Sequence, residues 1–226
     1  MPGIDVPTSV AAVELAAAAG LDAAAGIHPH VAAQADDAAW AAINELAAHP
    51  AVVAIGETGL DYDRAFSPRT AQLANLRRHL ALAGELDKPA ILHCRSKPGA
   101  RDAHDDLLHE IDDAGRPRAV LHSFSGPVDY AEKALEIGLA ISFSGLVFRA
   151  GEEPSAAAAR LTPPDRLLVE TDSPYLSPPG ANRRRNEPQW VAIIGRWLAE
   201  QRGADLSDLG DQLVANYDRI FSRPPS

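Results

Sequence analysis

Val53-Ala54-Ile55-Gly56-Glu57 sets a short apolar run against a carboxylate at its end. The same construction returns at Ala90-Ile91-Leu92-His93, at Ala119-Val120-Leu121-His122 and at Leu167-Leu168-Val169-Glu170-Thr171-Asp172. Apolar runs of this length read as buried strands, and each places a group able to bind metal at or just beyond its carboxyl end. In α/β barrels the loops at that rim converge, so residues far apart in the chain can share one cavity.

Working outward, six strands are expected near residues 23–27, 52–56, 90–92, 119–121, 139–143 and 167–169. Between them the apolar spacing becomes helical. Trp40, Ile43, Leu46 and Ala47 follow a cap at Asp36 or Asp37, and Leu73, Leu76, Leu80 and Ala83 follow Thr70. Further helices are expected over 9–19, 103–114, 128–137, 187–201 and 205–221, and the alanine-rich stretches 16–19 and 156–159 fall in helical windows. Strands alternating with crossover helices make this an α/β chain with a parallel sheet. Gly3-Ile4-Asp5 reads like the end of a strand leading into a loop and helix. Six parallel strands left open would expose two pairing edges, and about two more would close an eight-stranded barrel.

At 226 residues and 46% hydrophobic composition, the chain can bury a substantial core and reads as one domain over 1–226. Its net charge of -10 argues against a broad basic face that coats nucleic acid. A nuclease remains compatible, because bound cations and a few local arginines can serve a polyanion. No apolar run approaches the roughly 18 residues of a membrane span, and Met1 to Asp5 lack a signal-peptide pattern, so a cytoplasmic protein is expected. The single Cys94 cannot form an intrachain disulfide. Alternation along its strand turns it away from His93 and Arg95, which suits an inert thiol.

Taken alone, His93 or His122 reads more naturally as a core or capping residue than as a ligand. The recurrence at four strand ends reverses that preference. Two imidazoles and two carboxylates suit Zn, Mn or Fe, or a mixed oxygen and nitrogen site that accepts Mg. Asp61 is either an acceptor supporting a ligand or a turn cap, and Gly56, Gly59, Gly126 and Gly145 could allow close backbone approach in the active-site loops, with a turn role as the default. Arg95 could neutralise a phosphate oxygen. Arg183-Arg184-Arg185 could guide a nucleic-acid strand or simply form a solvated loop, and Tyr62 and Tyr175 could stack on a base or merely pack.

The motifs are specific in their order. Gly26-Ile27-His28-Pro29-His30, Ile55-Gly56-Glu57-Thr58-Gly59-Leu60-Asp61-Tyr62, Leu92-His93-Cys94-Arg95, His122-Ser123-Phe124-Ser125-Gly126 and Glu170-Thr171-Asp172-Ser173-Pro174-Tyr175 resemble those of the TatD family of deoxyribonucleases, with Asn186-Glu187-Pro188 and residues 216–221 extending the match. The resemblance implies a TIM-type (β/α) barrel of the metal-dependent hydrolase superfamily, incomplete at its N-terminal side, with about six of eight strands visible. It implies up to two divalent ions, Mg, Mn or Zn. Glu57 would bridge them, His93 and His122 would complete one, and Asp172 would bind the other and handle a proton, which makes Asp172 and Glu57 the catalytic pair. The family's second ion also uses a His-x-His pair on the first strand, which is expected upstream of Met1. His28 would contact a substrate phosphate, with Arg95 and Tyr62 as further substrate contacts. His28-Pro29-His30 could instead stand in for the metal pair, or be a polar turn. The implied reaction is hydrolysis of DNA phosphodiester bonds, with 3′-5′ exonuclease action as one mode. An amidohydrolase-like enzyme on a small amide or lactone, and a truncated inactive relative, are the alternatives. DNA is the expected partner, a membrane is not, and nothing demands more than a monomer.

Overall fold

Asp5 begins the first helix. Its side chain accepts the Thr8 amide at 2.8 Å, and the Thr8 hydroxyl accepts the Asp5 amide at 3.1 Å, so two orphan donors are satisfied at once. Helix α1 (Val6–Ala19) ends where Gly20 turns left-handed, at φ 65°. Its buried face of Ala12, Val13 and Ala16 meets Ala23, Ala25 and Val52, where small side chains let helix and sheet approach closely. Strand β1 (Ala23–Ala25) follows, then α2 (Asp37–Ala47), capped by Asp36 through the Ala39 amide.

The computed structural model describes residues 1–181 and 184–221. It forms two compact units, Met1–Val120 and Leu121–Ile220. In the first, β2 (Val52–Asp61), α3 (Arg69–Glu85), β3 (Ala90–Arg95), α4 (Asp102–Asp113) and β4 (Ala119–Leu121) complete an alternating pattern, with β4 reaching the boundary of the unit. Its strands lie in chain order. The pairing is parallel, with Ala25 opposite Ile55, Ile55 opposite Ala90 and Gly59 opposite His93. The second unit carries α5 (Val128–Glu136), β5 (Ala140–Phe143), α6 (Pro154–Leu161), β6 (Leu167–Val169), α7 (Val191–Arg202) and α8 (Leu206–Phe221). There β5 pairs with β6 in parallel, and Phe143 lies between Phe124 and Trp197, about 6.0 Å from each ring. The Asn216 amide donates to the carbonyls of Pro164 and Leu167, at 2.6 and 2.8 Å, and so ties α8 to the start of β6.

Sequence periodicity placed β2 over 52–56 and β3 over 90–92, but the strands run on to Asp61 and Arg95. The extension depends on Gly56 and Gly59, for which close backbone approach, rather than the default turn role, holds. A Cβ at Gly59 would lie 1.9 Å from the His93 carbonyl oxygen, and one at Gly56 would lie 2.6 Å from that of Ile91. Both residues also adopt φ 136°. Glycine is therefore required for the close strand approach that carries Glu57 and His93 inside the sheet rather than beyond it.

A second surprise is His79, fully buried on α3. Its Nε2 accepts the Ile27 amide at 2.9 Å, while its Nδ1 donates to the Asn75 carbonyl at 2.8 Å. The Asn75 side chain donates to the Ile27 carbonyl at 2.7 Å. Together they clamp the backbone immediately before His28. Burial pushes the His79 pKa down to about 4, against a smaller opposing effect of its bond to Asn75. The unfolded chain, with an ordinary histidine near 6.5, therefore binds more protons between pH 6.5 and 4. Stability contributed by neutral His79 should be complete above that window and fall by roughly 3 kcal/mol across it as pH drops. Urea denaturation at pH 7 and at pH 4.5 should show this loss, and His79→Gln should have a distinctly shallower pH slope. An identical slope in the variant would remove His79 as the origin.

Candidate metal centre

Asp61 ends β2 with its side chain almost wholly buried. Its Oδ1 accepts the amides of Asp63 and Arg64, at 3.1 and 2.8 Å. Its Oδ2 lies 2.7 Å from His30 Nε2 and 3.2 Å from His93 Nε2. Burial by itself would raise the Asp61 pKa, but hydrogen bonds from His93, the Arg64 amide and His30 outweigh it and hold the carboxyl well below the usual range. Asp61 is thus ionised and acts only as an acceptor, so both imidazoles must donate to it through Nε2.

That assignment decides the chemistry on the other side of His93. With its proton on Nε2, neutral His93 carries a lone pair on Nδ1, and Nδ1 lies 3.3 Å from Glu57 Oε1. Two acceptors at that separation repel unless a proton or a cation stands between them. Glu57 and His93 are largely withdrawn from solvent, with side chains 10% and 21% exposed. A divalent ion fits this donor set, and the carboxylate behind the imidazole has the arrangement that orients a histidine ligand.

The His28, His30 and His93 ring nitrogens also lie within 4.8 Å of one another. Proximity alone would allow a three-histidine site, yet the hydrogen bonds favour another role. His28 Nδ1 accepts the His30 amide at 3.1 Å, so in its neutral form the proton sits on Nε2, 3.1 Å from Glu57 Oε1. Burial lowers the His28 pKa, partly opposed by its bond to Glu57, and so supports the neutral form. His28 consequently donates to the Glu57 carboxylate and steadies it. With His30 donating to Asp61 as well, His28 and His30 support the two carboxylates, while His93 alone spans from Asp61 to Glu57.

The other proposed substrate contacts have partners of their own. Arg95 Nε donates to Asp63 at 2.8 Å and stays partly exposed. Tyr62 is buried, donates through its hydroxyl to Asp106 at 2.6 Å and lies under the Arg69 guanidinium. Burial, with the Asp106 carboxylate beside it, drives its pKa upward, so it remains a neutral phenol.

In the second unit, His122 follows β4 and its Nδ1 lies 3.5 Å from Glu170 Oε2, while the other Glu170 oxygen accepts the Ser123 amide. Glu170 therefore favours the His122 tautomer protonated on Nδ1. Sequence reading placed Glu170 at a strand end but gave it no role. Asp172 sits in the loop after β6 with left-handed backbone, φ 57°, and its carbonyl accepts the Tyr175 amide at 2.8 Å. The buried Asn186 side chain holds this loop by donating to the carbonyls of Thr171 and Tyr175, at 2.7 and 2.6 Å. Tyr175 itself is exposed. Arg184 and Arg185 are exposed, and Arg183 lies outside the described residues.

The profile of the TatD related DNase family matches residues 1–222. The chain belongs to the TatD family. Among its curated relatives is the 3′-5′ ssDNA/RNA exonuclease TatD of Musicola paradisiaca, 41% identical over 207 residues, spanning 87% of this chain and 75% of that protein. The protein of the same name from Klebsiella pneumoniae is 39% identical over 230 residues, covering 98% of this chain and 85% of its own. The crystal structure of YJJV, a TatD homolog from Escherichia coli K12, superposes with a TM-score of 0.88 at 28% identity, across 99% of this chain and 86% of that one. These likenesses establish a TIM-barrel-type α/β fold and a metal-dependent hydrolase of the TatD family, as the ordered motifs implied.

Within a TatD-family protein, Asp61 is the support on which His93 depends. Asp61→Asn should leave the strand in place but present an amide to two imidazole donors. Divalent-metal affinity should fall by about 10- to 100-fold in calorimetric titration. Unaltered affinity would show that His93 needs no such support.

Proposed function

We propose that the chain hydrolyses phosphodiester bonds in single-stranded DNA or RNA, working from the 3′ end. The observation that carries the reading is the placement of His93 between two carboxylates, its Nδ1 3.3 Å from Glu57 Oε1 and its Nε2 3.2 Å from Asp61 Oδ2, within a protein of the TatD family. Relatives about 40% identical bear the name 3′-5′ ssDNA/RNA exonuclease, which supports the substrate and the polarity. The two units are read as one hydrolase domain over 1–226, whose metal ligands are Glu57, His93, His122 and Asp172.

Up to two divalent ions, Mg, Mn or Zn, would supply positive charge to the phosphate and acidify the attacking water. The protein's own groups do the rest. Glu57 presents a carboxylate steadied by His28, and Asp172 takes the proton from water. His28 Nε2 and the Arg95 guanidinium can turn toward phosphate oxygens once substrate competes for their present partners. Tyr62, held by Asp106 beneath the Arg69 guanidinium, is the further substrate contact. DNA or RNA is the proposed partner, a monomer suffices, and the proposed setting is the cytoplasm, whose reducing conditions suit a single cysteine.

Glu57→Ala should reduce metal-dependent cleavage of a 3′-labelled single-stranded oligonucleotide by about 100-fold or more, because it removes the carboxylate common to the ligand set. A chelator should abolish the wild-type rate, and added Mg, Mn or Zn should restore it. Cleavage of small amides or lactones but not oligonucleotides would redirect the reading to an amidohydrolase-like enzyme. Metal bound well below one ion per chain, together with no hydrolysis, would mark an inactive relative.

A further inference from the structure

The loop after β2 displays Phe66 to solvent at 68% exposure. Isolated exposed apolar side chains are ordinary, so exposure by itself carries little. What distinguishes Phe66 is the rigidity with which it is held and the place where it is held. Asp61 Oδ1 binds the amides of Asp63 and Arg64, and the Asp61 carbonyl accepts the Ala65 amide at 3.3 Å. Immediately after the ring, the buried Ser67 hydroxyl donates to the His30 carbonyl at 3.0 Å and accepts the Ala33 amide at 3.1 Å. The buried Gln72 side chain donates to the Ser67 carbonyl at 2.8 Å and to the Asp61 carbonyl at 3.1 Å. Both flanks of the ring are thereby fastened by hydrogen bonds.

The Phe66 ring lies 4.8 Å from the His30 ring, edge to face, and His30 is bonded to the same Asp61 oxygen that receives His93. A rigid aromatic surface thus borders the candidate centre, and Arg64 is exposed on the same loop. Apolar rings stack on every nucleobase, because each base has a π face, and such stacking tolerates any sequence. A duplex keeps its bases stacked inside, so only an unpaired nucleotide can offer one to the ring.

We propose that Phe66 is the platform on which the unpaired base at the 3′ terminus of a nucleic-acid strand stacks, selecting single strands without reading their sequence. This rests on the phosphodiesterase reading above. Its test is binding rather than turnover. Fluorescence anisotropy of a labelled oligothymidine, in chelator so that no bond is cut, is compared with that of the same strand ending in an abasic nucleotide. Phe66→Ala should weaken binding of the ordinary strand on the order of 10-fold and leave that of the abasic strand unaltered. Phe66→Trp should restore affinity, with its fluorescence quenched on binding. Equal losses on both strands, or none on either, would overturn the platform while leaving oligonucleotide cleavage by the wild-type protein intact. Failure of the wild-type protein to cleave any oligonucleotide with metal would instead overturn the phosphodiesterase reading.

Discussion

The first unit depends on the buried negative charge of Asp61. A carboxylate taken out of water is costly unless its oxygens are fully bonded, and here four donors surround it: two backbone amides and two imidazoles. Each bond has a structural consequence. The amides turn the chain out of β2 into the loop that carries Phe66. The imidazoles are forced to donate, and in neutral His93 that requirement leaves the Nδ1 lone pair facing Glu57. One charge thus links the end of a strand, the shape of a loop and the ligand character of a histidine.

Around that charge the fold supplies position. Gly56 and Gly59 let β2 and β3 run closer than any side chain would allow, which draws Glu57 and His93 into one row. His79 and Asn75 hold the backbone at Ile27, so that His28 reaches Glu57 rather than swinging free. The second unit repeats the principle with Glu170 behind His122 and Asn186 beneath the loop of Asp172. In both units a polar side chain fixes a candidate site residue from behind, the kind of support that orients a side chain in advance.

The acidic net charge and a polyanionic substrate are reconciled by this local arrangement. A broad basic surface is unnecessary where cations bind at carboxylates. Arg95 and Arg69 are held by Asp63 and Asp106, which neutralise their charge in place.

The order of strands and helices was legible in the sequence because burial periodicity is local: an apolar run between polar segments announces itself whatever surrounds it. The four strand-end motifs, and through them the family, were legible for the same reason. The pairing of His28 with Glu57 and of His93 with Asp61 was not, since these partners lie 29 and 32 residues apart and no local pattern connects them. The full length of β2, the demand for glycine at Gly59, the burial of His79 and the support of Glu170 for His122 were equally hidden. Each is a contact between segments, and only chain packing brings those segments together. The amino-acid sequence by itself determined which chemical groups the protein owns and which strands carry them; the tertiary structure alone decided which of those groups face one another, because hydrogen-bond partners are brought together only by packing.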